Sequence, residues 1–180
     1  MLRQLDPQQT AVVNTLHRLQ RQTGHSLKEA RDLVVALRRT QLSRAPCLIE
    51  TLRDIADHTT LARATTVSLS VEGTARRGSA DVELQLLRIC QEAVNNAIAH
   101  GAATEIQIGL EFRGADIALR VVDNGGGFVV DLDAESAENE EHLGLLGMQE
   151  RASRIRGRLS IISRPGAGTV VEVTAPADGK

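Results

Sequence analysis

Aromatic residues are nearly absent from this sequence. Its 180 residues include two phenylalanines, Phe112 and Phe128, and neither tryptophan nor tyrosine. Proteins that bind single-stranded nucleic acid usually stack the bases on aromatic side chains, so the composition disfavours that class of function. The hydrophobic core must therefore be built from leucine, valine, isoleucine and alanine.

The sequence also lacks the marks of secreted, metal-cluster and membrane proteins. Its two cysteines, Cys47 and Cys90, lie in unrelated contexts, which indicates a reduced protein with neither a disulfide framework nor a metal cluster. No apolar run approaches the ~18 residues of a membrane span, and the first residues do not begin an apolar signal segment. We therefore expect a cytoplasmic location, with no membrane contact by this segment.

Charge is almost balanced overall but unevenly distributed. The formal net charge is −2, yet residues 1–44 carry eight Lys/Arg and only three Asp/Glu. This excess predicts either a solvated basic helix or a surface on which an acidic partner docks. A second uneven region is 129–141, which holds six Asp/Glu and no Lys or Arg.

The first 44 residues are predicted to form one domain, dominated by a long helix over 8–43. Pro7 suits the first turn of a helix, with Asp6 as its N-cap. The apolar stripe is narrow and is interrupted at residues 23–24, where a Thr-Gly pair breaks the spacing. Such a helix requires a partner helix, from another chain or a missing segment, or else folds onto its own domain.

Residues 45–180 are predicted to form a second domain that mixes helices and strands. Apolar residues alternate in the strand segments and recur every three or four residues in the helical ones. The predicted helices are 47–63, 80–100 and about 145–156, and the predicted strands are 66–71, 104–112, 116–122, 158–163 and 169–175. The expected fold is a two-layer α/β sandwich, a mixed sheet with helices on one face.

Three polar residues share one face of the otherwise apolar helix 80–100. Glu92, Asn96 and His100 stand at i, i+4 and i+8. A buried carboxylate is costly without partners, and an asparagine carbonyl oxygen suits a Mg²⁺ ion shared with phosphates. The alternative is a hydrogen-bonded buried pair, with His100 in a capping role near the helix end.

Two glycine motifs follow. Asp123-x-Gly125-x-Gly127 ends an apolar strand, where the glycines allow a ligand to approach the backbone and the aspartate can accept a hydrogen bond from an adenine amine; the alternative is an ordinary turn. Gly144-Leu145-Leu146-Gly147-Met148 is predicted to precede a helix, whose free backbone N–H groups could bind phosphates. Taken alone, the second motif is a weak signal, because glycines before a helix often only form a loop.

The order of these motifs resembles the GHKL (Bergerat) ATP-binding fold over residues 66–176. Within it, Gln91–His100 is similar to the N-box of sensor histidine kinases of the NarX/DesK-type subfamily. His142–Arg151 is similar to that subfamily's second glycine box, and Pro165–Thr169 resembles its closing loop. The resemblance implies binding of Mg-ATP.

The resemblance also implies individual roles. Asn96 would ligate Mg²⁺ bridging the ATP phosphates, and Glu92 would be the catalytic N-box acid that orients water or metal. Asp123 would bind the adenine amine, and residues 129–143 would form a mobile lid. The other implied ATP-binding residues are His100, Gly125, Gly127, Gly144, Leu145, Gly147, Met148 and Thr169.

This sequence departs from the subfamily pattern at two places. Ala99 stands where many members have a lysine or arginine, so phosphate charge must be met by Mg²⁺, the backbone, His100 or Arg151. The second departure is the lack of a His-Asp phosphoacceptor context, since His17 is followed by arginine and His25 by serine.

Residues 29–38 resemble the end of the second helix of the kinase dimerisation hairpin. The resemblance therefore implies that 1–44 is that helix and that the first helix is missing, either because the chain is truncated or because the phosphoacceptor lies on another protein. It also implies that this chain alone does not phosphorylate itself. A homodimeric parent protein and a response regulator receiver domain are the implied partners, with no nucleic acid. Alternative functions are a nucleotide-independent interaction module and another GHKL member, such as an anti-sigma serine kinase.

Overall fold

The structure is a computed structural model that describes residues 47–62, 65–129 and 140–179. The predicted helix over 8–43, the predicted domain boundary at residue 44 and most of the predicted lid lie outside these residues. Within the part of the chain described here, no helix is both long and apolar enough to cross a membrane.

The described residues form an α/β fold with a single sheet. The helices are α1 (Leu48–Ala62), α2 (Ala80–Ala99) and α3 (Glu140–Arg154), and the strands are β1 (Thr66–Glu72), β2 (Glu105–Arg113), β3 (Asp116–Asp123), β4 (Arg158–Ser163) and β5 (Thr169–Pro176). The strand order is β1-β2-β3-β5-β4. The pair β1 and β2 is parallel and every other pair is antiparallel, so the predicted mixed sheet is confirmed.

One face of the sheet is apolar and packs against the helices. Alternate strand residues enter a core shared with all three helices, as expected when successive side chains point to opposite faces. The largest fully buried side chains are Leu52, Val82, Leu86, Ile89, Ile106, Ile108, Leu110, Ile117, Leu119, Met148, Ile155 and Val173. None of these is aromatic, which confirms the aliphatic core that the composition predicted.

The opposite face of the sheet is mainly polar. Gln107 and Arg120 are exposed on neighbouring strands, and Glu172 is half-exposed on β5 opposite Arg120. The predicted two-layer sandwich, with helices on one face, is therefore confirmed.

Local hydrogen bonds fix the two ends of α2. The Ser79 hydroxyl accepts the Val82 N–H at 3.3 Å, and the Glu83 carboxylate accepts the Gly78 N–H at 3.0 Å, so the first turn is capped from both sides. At the other end, the N–H groups of His100 and Gly101 both donate to the Asn96 carbonyl. The helix therefore stops where the chain must turn toward β2.

The start of α3 differs from the sequence prediction. The helix begins at Glu140, not near Leu145, so Gly144 and Gly147 lie inside it. The interpretation of these glycines as the residues before a helix start is therefore wrong. Two helical glycines cost about 1 kcal/mol each relative to alanine, but α3 packs against α2.

The environment of Cys90 makes its thiol unreactive. Cys90 is fully buried in α2, and burial raises its pKa to about 12 because desolvation disfavours the thiolate. At pH 8 we expect iodoacetamide to modify the partly exposed Cys47 while Cys90 is protected until the domain unfolds. Mass spectrometry with and without denaturant tests this, and rapid native labelling of Cys90 would contradict it.

Candidate functional site

A cavity lies between α2, the start of α3 and the ends of β3 and β5. It opens to solvent at its mouth, and small-molecule sites are concave pockets of this kind. Its walls are mainly apolar, with a few polar side chains. The lining residues are Ala93, Asn96, Ala97, His100, Gly101, Val121, Asp123, Gly127, Phe128, Leu145, Met148, Thr169 and Val171.

A row of polar side chains crosses the sheet beneath this cavity. Strand register places Asp123 of β3 opposite Thr169 of β5, and Thr169 opposite Ser163 of β4. The next row inward is apolar, with Val121 opposite Val171. Because side chains two residues apart share a face, the cavity floor joins a polar row to an apolar one.

The Asp123 carboxylate is fixed by the loop that follows it. Its Oδ1 accepts the Gly125 N–H at 2.8 Å. A Cβ on Gly125 would lie 2.5 Å from the Gly101 carbonyl oxygen, so only glycine allows this approach. The Gly126 N–H donates to that same carbonyl at 2.8 Å. The Oδ1 atom of Asp123 therefore makes the hydrogen bond of an ordinary turn, as the alternative interpretation expected. Asp123 also lines the cavity.

Asn124 holds this loop to the neighbouring strand. Its Oδ1 accepts the N–H groups of Thr104 and Glu105, both at 3.0 Å, and its Nδ2 donates to the Thr104 hydroxyl at 3.0 Å. The Asn124 side chain therefore positions the loop and the start of β2. Its polar atoms bond within the protein, and it does not line the cavity.

Two glycines with left-handed backbones bring a second loop against the first. Gly127 has φ +58°, and a Cβ there would lie 2.1 Å from the Arg164 carbonyl oxygen; Gly168 has φ +71°, and a Cβ there would lie 2.1 Å from the Asp123 carbonyl oxygen. The Gly166 N–H also donates to the Gly126 carbonyl. These contacts seat the β4–β5 loop beside Asp123.

The α2 wall carries the three polar residues singled out from the sequence. Asn96 and His100 line the cavity, whereas Glu92 lies one turn away at the junction with α3. A Cβ on Gly144 would lie 2.7 Å from Glu92 Oε1 and 3.3 Å from Asn96 Nδ2. Gly144 therefore allows α3 to approach both side chains.

The α3 wall is apolar. Leu145 and Met148 line the cavity and are buried, while Gly147 sits under the Arg151 guanidinium, whose Nη1 would lie 2.9 Å from a Cβ at that position. Leu145 and Met148 therefore offer a nonpolar surface to whatever occupies the cavity.

The structure brings most of the predicted site residues together. Those that line the cavity are Asn96, His100, Asp123, Gly127, Leu145, Met148 and Thr169, while Glu92, Gly125, Gly144 and Gly147 lie beside it. Sequence reasoning missed the other lining residues, which are Ala93, Ala97, Gly101, Val121, Phe128 and Val171. The two valines could have been found, because each stands two residues from a predicted polar site residue on the same strand face.

The oxygen atoms available on α2 fit a magnesium ion that is shared with phosphates. Among the described residues, no group of three or more His, Cys, Asp or Glu side chains could hold a metal alone. Asn96 and Glu92 offer amide and carboxylate oxygens one helical turn apart. Mg²⁺ commonly takes only one or two protein ligands and fills its remaining positions with phosphate oxygens and water.

Comparisons with known proteins agree with this geometry. Residues 81–179 match the family model described as histidine kinase-, DNA gyrase B- and HSP90-like ATPase. The sensor histidine kinase LiaS of Bacillus subtilis (strain 168) is 32% identical over 164 residues, covering 91% of this chain and 43% of that protein. The sensor protein VraS of Staphylococcus saprophyticus is 42% identical over 95 residues, covering 53% of this chain and 26% of that protein. The chain thus spans less than half the length of these curated relatives.

A solved structure supports the fold. The ATP-binding domain of PrrB from Mycobacterium tuberculosis superposes with a TM-score of 0.54 at 24% identity, covering 73% of this chain and 95% of that one. At this identity the likeness concerns the fold alone.

Proposed function

Because this chain belongs to the histidine kinase-, DNA gyrase B- and HSP90-like ATPase family, we propose that it is the ATP-binding catalytic domain of a two-component sensor histidine kinase. We assign it to the NarX/DesK-type subfamily on the segments Gln91–His100 and His142–Arg151. The parent protein would transfer the γ-phosphoryl group of ATP to a histidine and then to an aspartate of a response regulator receiver domain. The parent protein would act as a homodimer, and this segment would be its cytoplasmic part.

The observation that carries this proposal is the floor of the cavity. Asp123 offers a carboxylate beside the Thr169 hydroxyl, and the neighbouring floor and walls are built from Val121, Val171 and Met148. A purine base has a nonpolar face and, in adenine, an amine that donates hydrogen bonds. A mostly apolar slot with acceptors at one end suits that combination.

The α2 wall would receive the phosphates. Asn96 would hold Mg²⁺, which when bound neutralises phosphate charge, and Glu92 would orient water or metal from the adjacent turn. His100 lines the same wall, while Arg151 projects over Gly147 of α3. Phosphoryl transfer depends mainly on positioning and charge stabilisation, and these residues would supply both.

Calorimetric titration of ATP, with and without Mg²⁺, tests the nucleotide assignment. We expect the wild type to bind Mg-ATP and Asn96→Ala to bind it about tenfold more weakly. That factor corresponds to the free energy of one lost ligand contact. Without Mg²⁺ the two proteins should bind ATP equally. Asn95→Ala, at the exposed neighbouring position, is the matched control. Equal loss in both conditions would contradict the role of Asn96 as a magnesium ligand.

Gly144 offers a test of the α2–α3 junction. Gly144→Ala places a Cβ 2.7 Å from Glu92 Oε1, so the carboxylate must move, while the helix gains up to about 1 kcal/mol of propensity. We expect unfolding stability to be maintained and Mg-ATP affinity to fall by about tenfold. Gln149→Ala, at an exposed position of the same helix, should retain both stability and affinity. If Gly144→Ala binds Mg-ATP as the wild type does, the junction has no part in binding.

Phosphate labelling tests the kinase assignment and separates it from its alternatives. Incubation of this chain alone with γ-labelled ATP should leave no label, because neither His17 nor His25 has a phosphoacceptor context. Label on either histidine would contradict this expectation. Phosphoserine on a partner protein would favour an anti-sigma serine kinase, and thermal stability unaffected by Mg-ATP would favour a nucleotide-independent interaction module.

A further inference from the structure

The hydroxyl of Ser163 lies at the centre of a small hydrogen-bond network at the end of the polar row. Ser163 Oγ accepts the Phe128 N–H at 3.0 Å, donates to the Gly168 carbonyl oxygen at 2.9 Å and lies 3.0 Å from Thr169 Oγ1. Phe128 and Thr169 line the cavity, but Ser163 does not. Any influence of Ser163 on a ligand must therefore pass through these neighbours.

The number of protons in this network decides which way each bond runs. A serine hydroxyl has one proton and two lone pairs. A carbonyl oxygen can only accept, so the proton of Ser163 goes to Gly168, and one lone pair receives the Phe128 N–H. The contact with Thr169 must then use the remaining lone pair of Ser163 and the proton of Thr169.

Thr169 is thereby left without a proton for the cavity. Any hydrogen bond between its hydroxyl and a ligand, or a bridging water, must use a lone pair of Thr169. Asp123, directly opposite in the strand register, is also an acceptor when ionised, and its Oδ1 is already engaged with the Gly125 N–H. The floor of the cavity therefore presents acceptors on both strands.

We propose that Ser163 is a positioning residue that fixes the Thr169 hydroxyl as an acceptor and so contributes to selection of an amine over a carbonyl at position 6 of a purine. This inference rests on the proposed function, because it assumes that the base enters at this floor. A carbonyl in place of the amine would set its own lone pairs against those of Asp123 and Thr169, which is unfavourable for buried polar groups.

The competing explanation is that Ser163 merely holds the loop in shape. Its bonds to Phe128 and Gly168 would then matter, and its contact with Thr169 would not. A loss of loop shape should weaken all nucleotides alike, whereas a change in the polarity of Thr169 should alter the ratio of two affinities. The ratio therefore separates the two explanations.

The experiment compares the dissociation constants of Mg-ATP and Mg-inosine triphosphate, which carries a carbonyl at position 6. The proteins are the wild type, Ser163→Ala, Thr169→Val, the double variant and Ser163→Thr, with Ser160→Ala as a control on an exposed position of β4. We expect the wild type to prefer ATP and Ser163→Ala to lower that preference about tenfold, because the Thr169 hydroxyl can then turn and donate. Ser163→Thr, which keeps the hydroxyl, and Ser160→Ala should retain the preference.

The double variant decides whether Ser163 acts through Thr169. If it does, Ser163→Ala will not change the preference further in the Thr169→Val background. An unchanged preference in Ser163→Ala, or an undiminished effect in the Thr169→Val background, would overturn the inference while ATP binding by the wild type still supported the proposed function. A wild type that bound neither nucleotide would overturn both.

Discussion

Asp123→Asn should weaken ATP binding at least 100-fold while leaving the fold nearly intact. In the native loop Asp123 Oδ1 accepts the Gly125 N–H at 2.8 Å. An asparagine would keep its single oxygen in that bond, and its amide nitrogen would then face the cavity. The amide N–H of the new asparagine would then face the amine of the proposed ligand, so two donors would meet. Loss of a buried hydrogen bond to a charged carboxylate costs about 3 kcal/mol, roughly 100-fold in affinity.

A matched substitution on the same strand controls for loss of charge. Asp116 begins β3 at the end away from the cavity, so Asp116→Asn changes the net charge equally and should leave affinity unchanged. Calorimetry measures both variants, and thermal unfolding checks that each is folded. If Asp123→Asn bound ATP within threefold of the wild type, Asp123 would not be the base-recognising residue.

Gly168→Ala should be the most damaging single-methyl substitution among the described residues of the loop after β4. A Cβ at Gly168 would lie 2.1 Å from the Asp123 carbonyl oxygen, a backbone atom that cannot move without displacing β3. The left-handed backbone, at φ +71°, adds a further cost of about 1–2 kcal/mol for any residue with a Cβ. We expect a total loss above about 4 kcal/mol of unfolding free energy, the range of the most severe point mutations, together with loss of nucleotide binding.

The substitution Gly166→Ala, in the same loop, separates the steric contribution from the conformational one. The backbone of Gly166 is also left-handed, at φ +79°, but no atom lies within 4 Å of an added Cβ. Gly166→Ala should therefore cost only the conformational penalty of about 1–2 kcal/mol. Urea unfolding of both variants gives the difference, which is the steric part. Equal stabilities for the two variants would show that the contact with Asp123 is relaxed at little cost.

Much of the fold was predictable because strand alternation is a local property. The residues Ile106, Ile108 and Leu110 alternate with polar residues or glycine, and all three are buried as the pattern predicts. The order of strands was not predictable in this way. β5 lies between β3 and β4, and its alternate buried residues such as Val173 pack beneath α2, yet nothing in the local pattern distinguishes an inner strand from an edge strand.

The site was partly predictable for a similar reason. The acceptor Asp123 and the helix residue Asn96 stand in recognisable local motifs, so the sequence identifies them separately. Ser163 was missed because its importance depends on three partners, Phe128, Gly168 and Thr169, which come together only after β4 and β5 pair. The start of α3 was misplaced because Gly144 suggests a loop, although tertiary contact with α2 keeps it helical.

The scarcity of aromatic residues makes position 128 suitable for a fluorescent probe of the cavity. Because the chain contains neither tryptophan nor tyrosine, it has almost no intrinsic fluorescence when excited in the near ultraviolet. Phe128 lines the cavity and is anchored through its backbone N–H, which a substitution preserves. A tryptophan at this position would be the sole emitter of the molecule, so its emission would report occupancy of the cavity against a dark background.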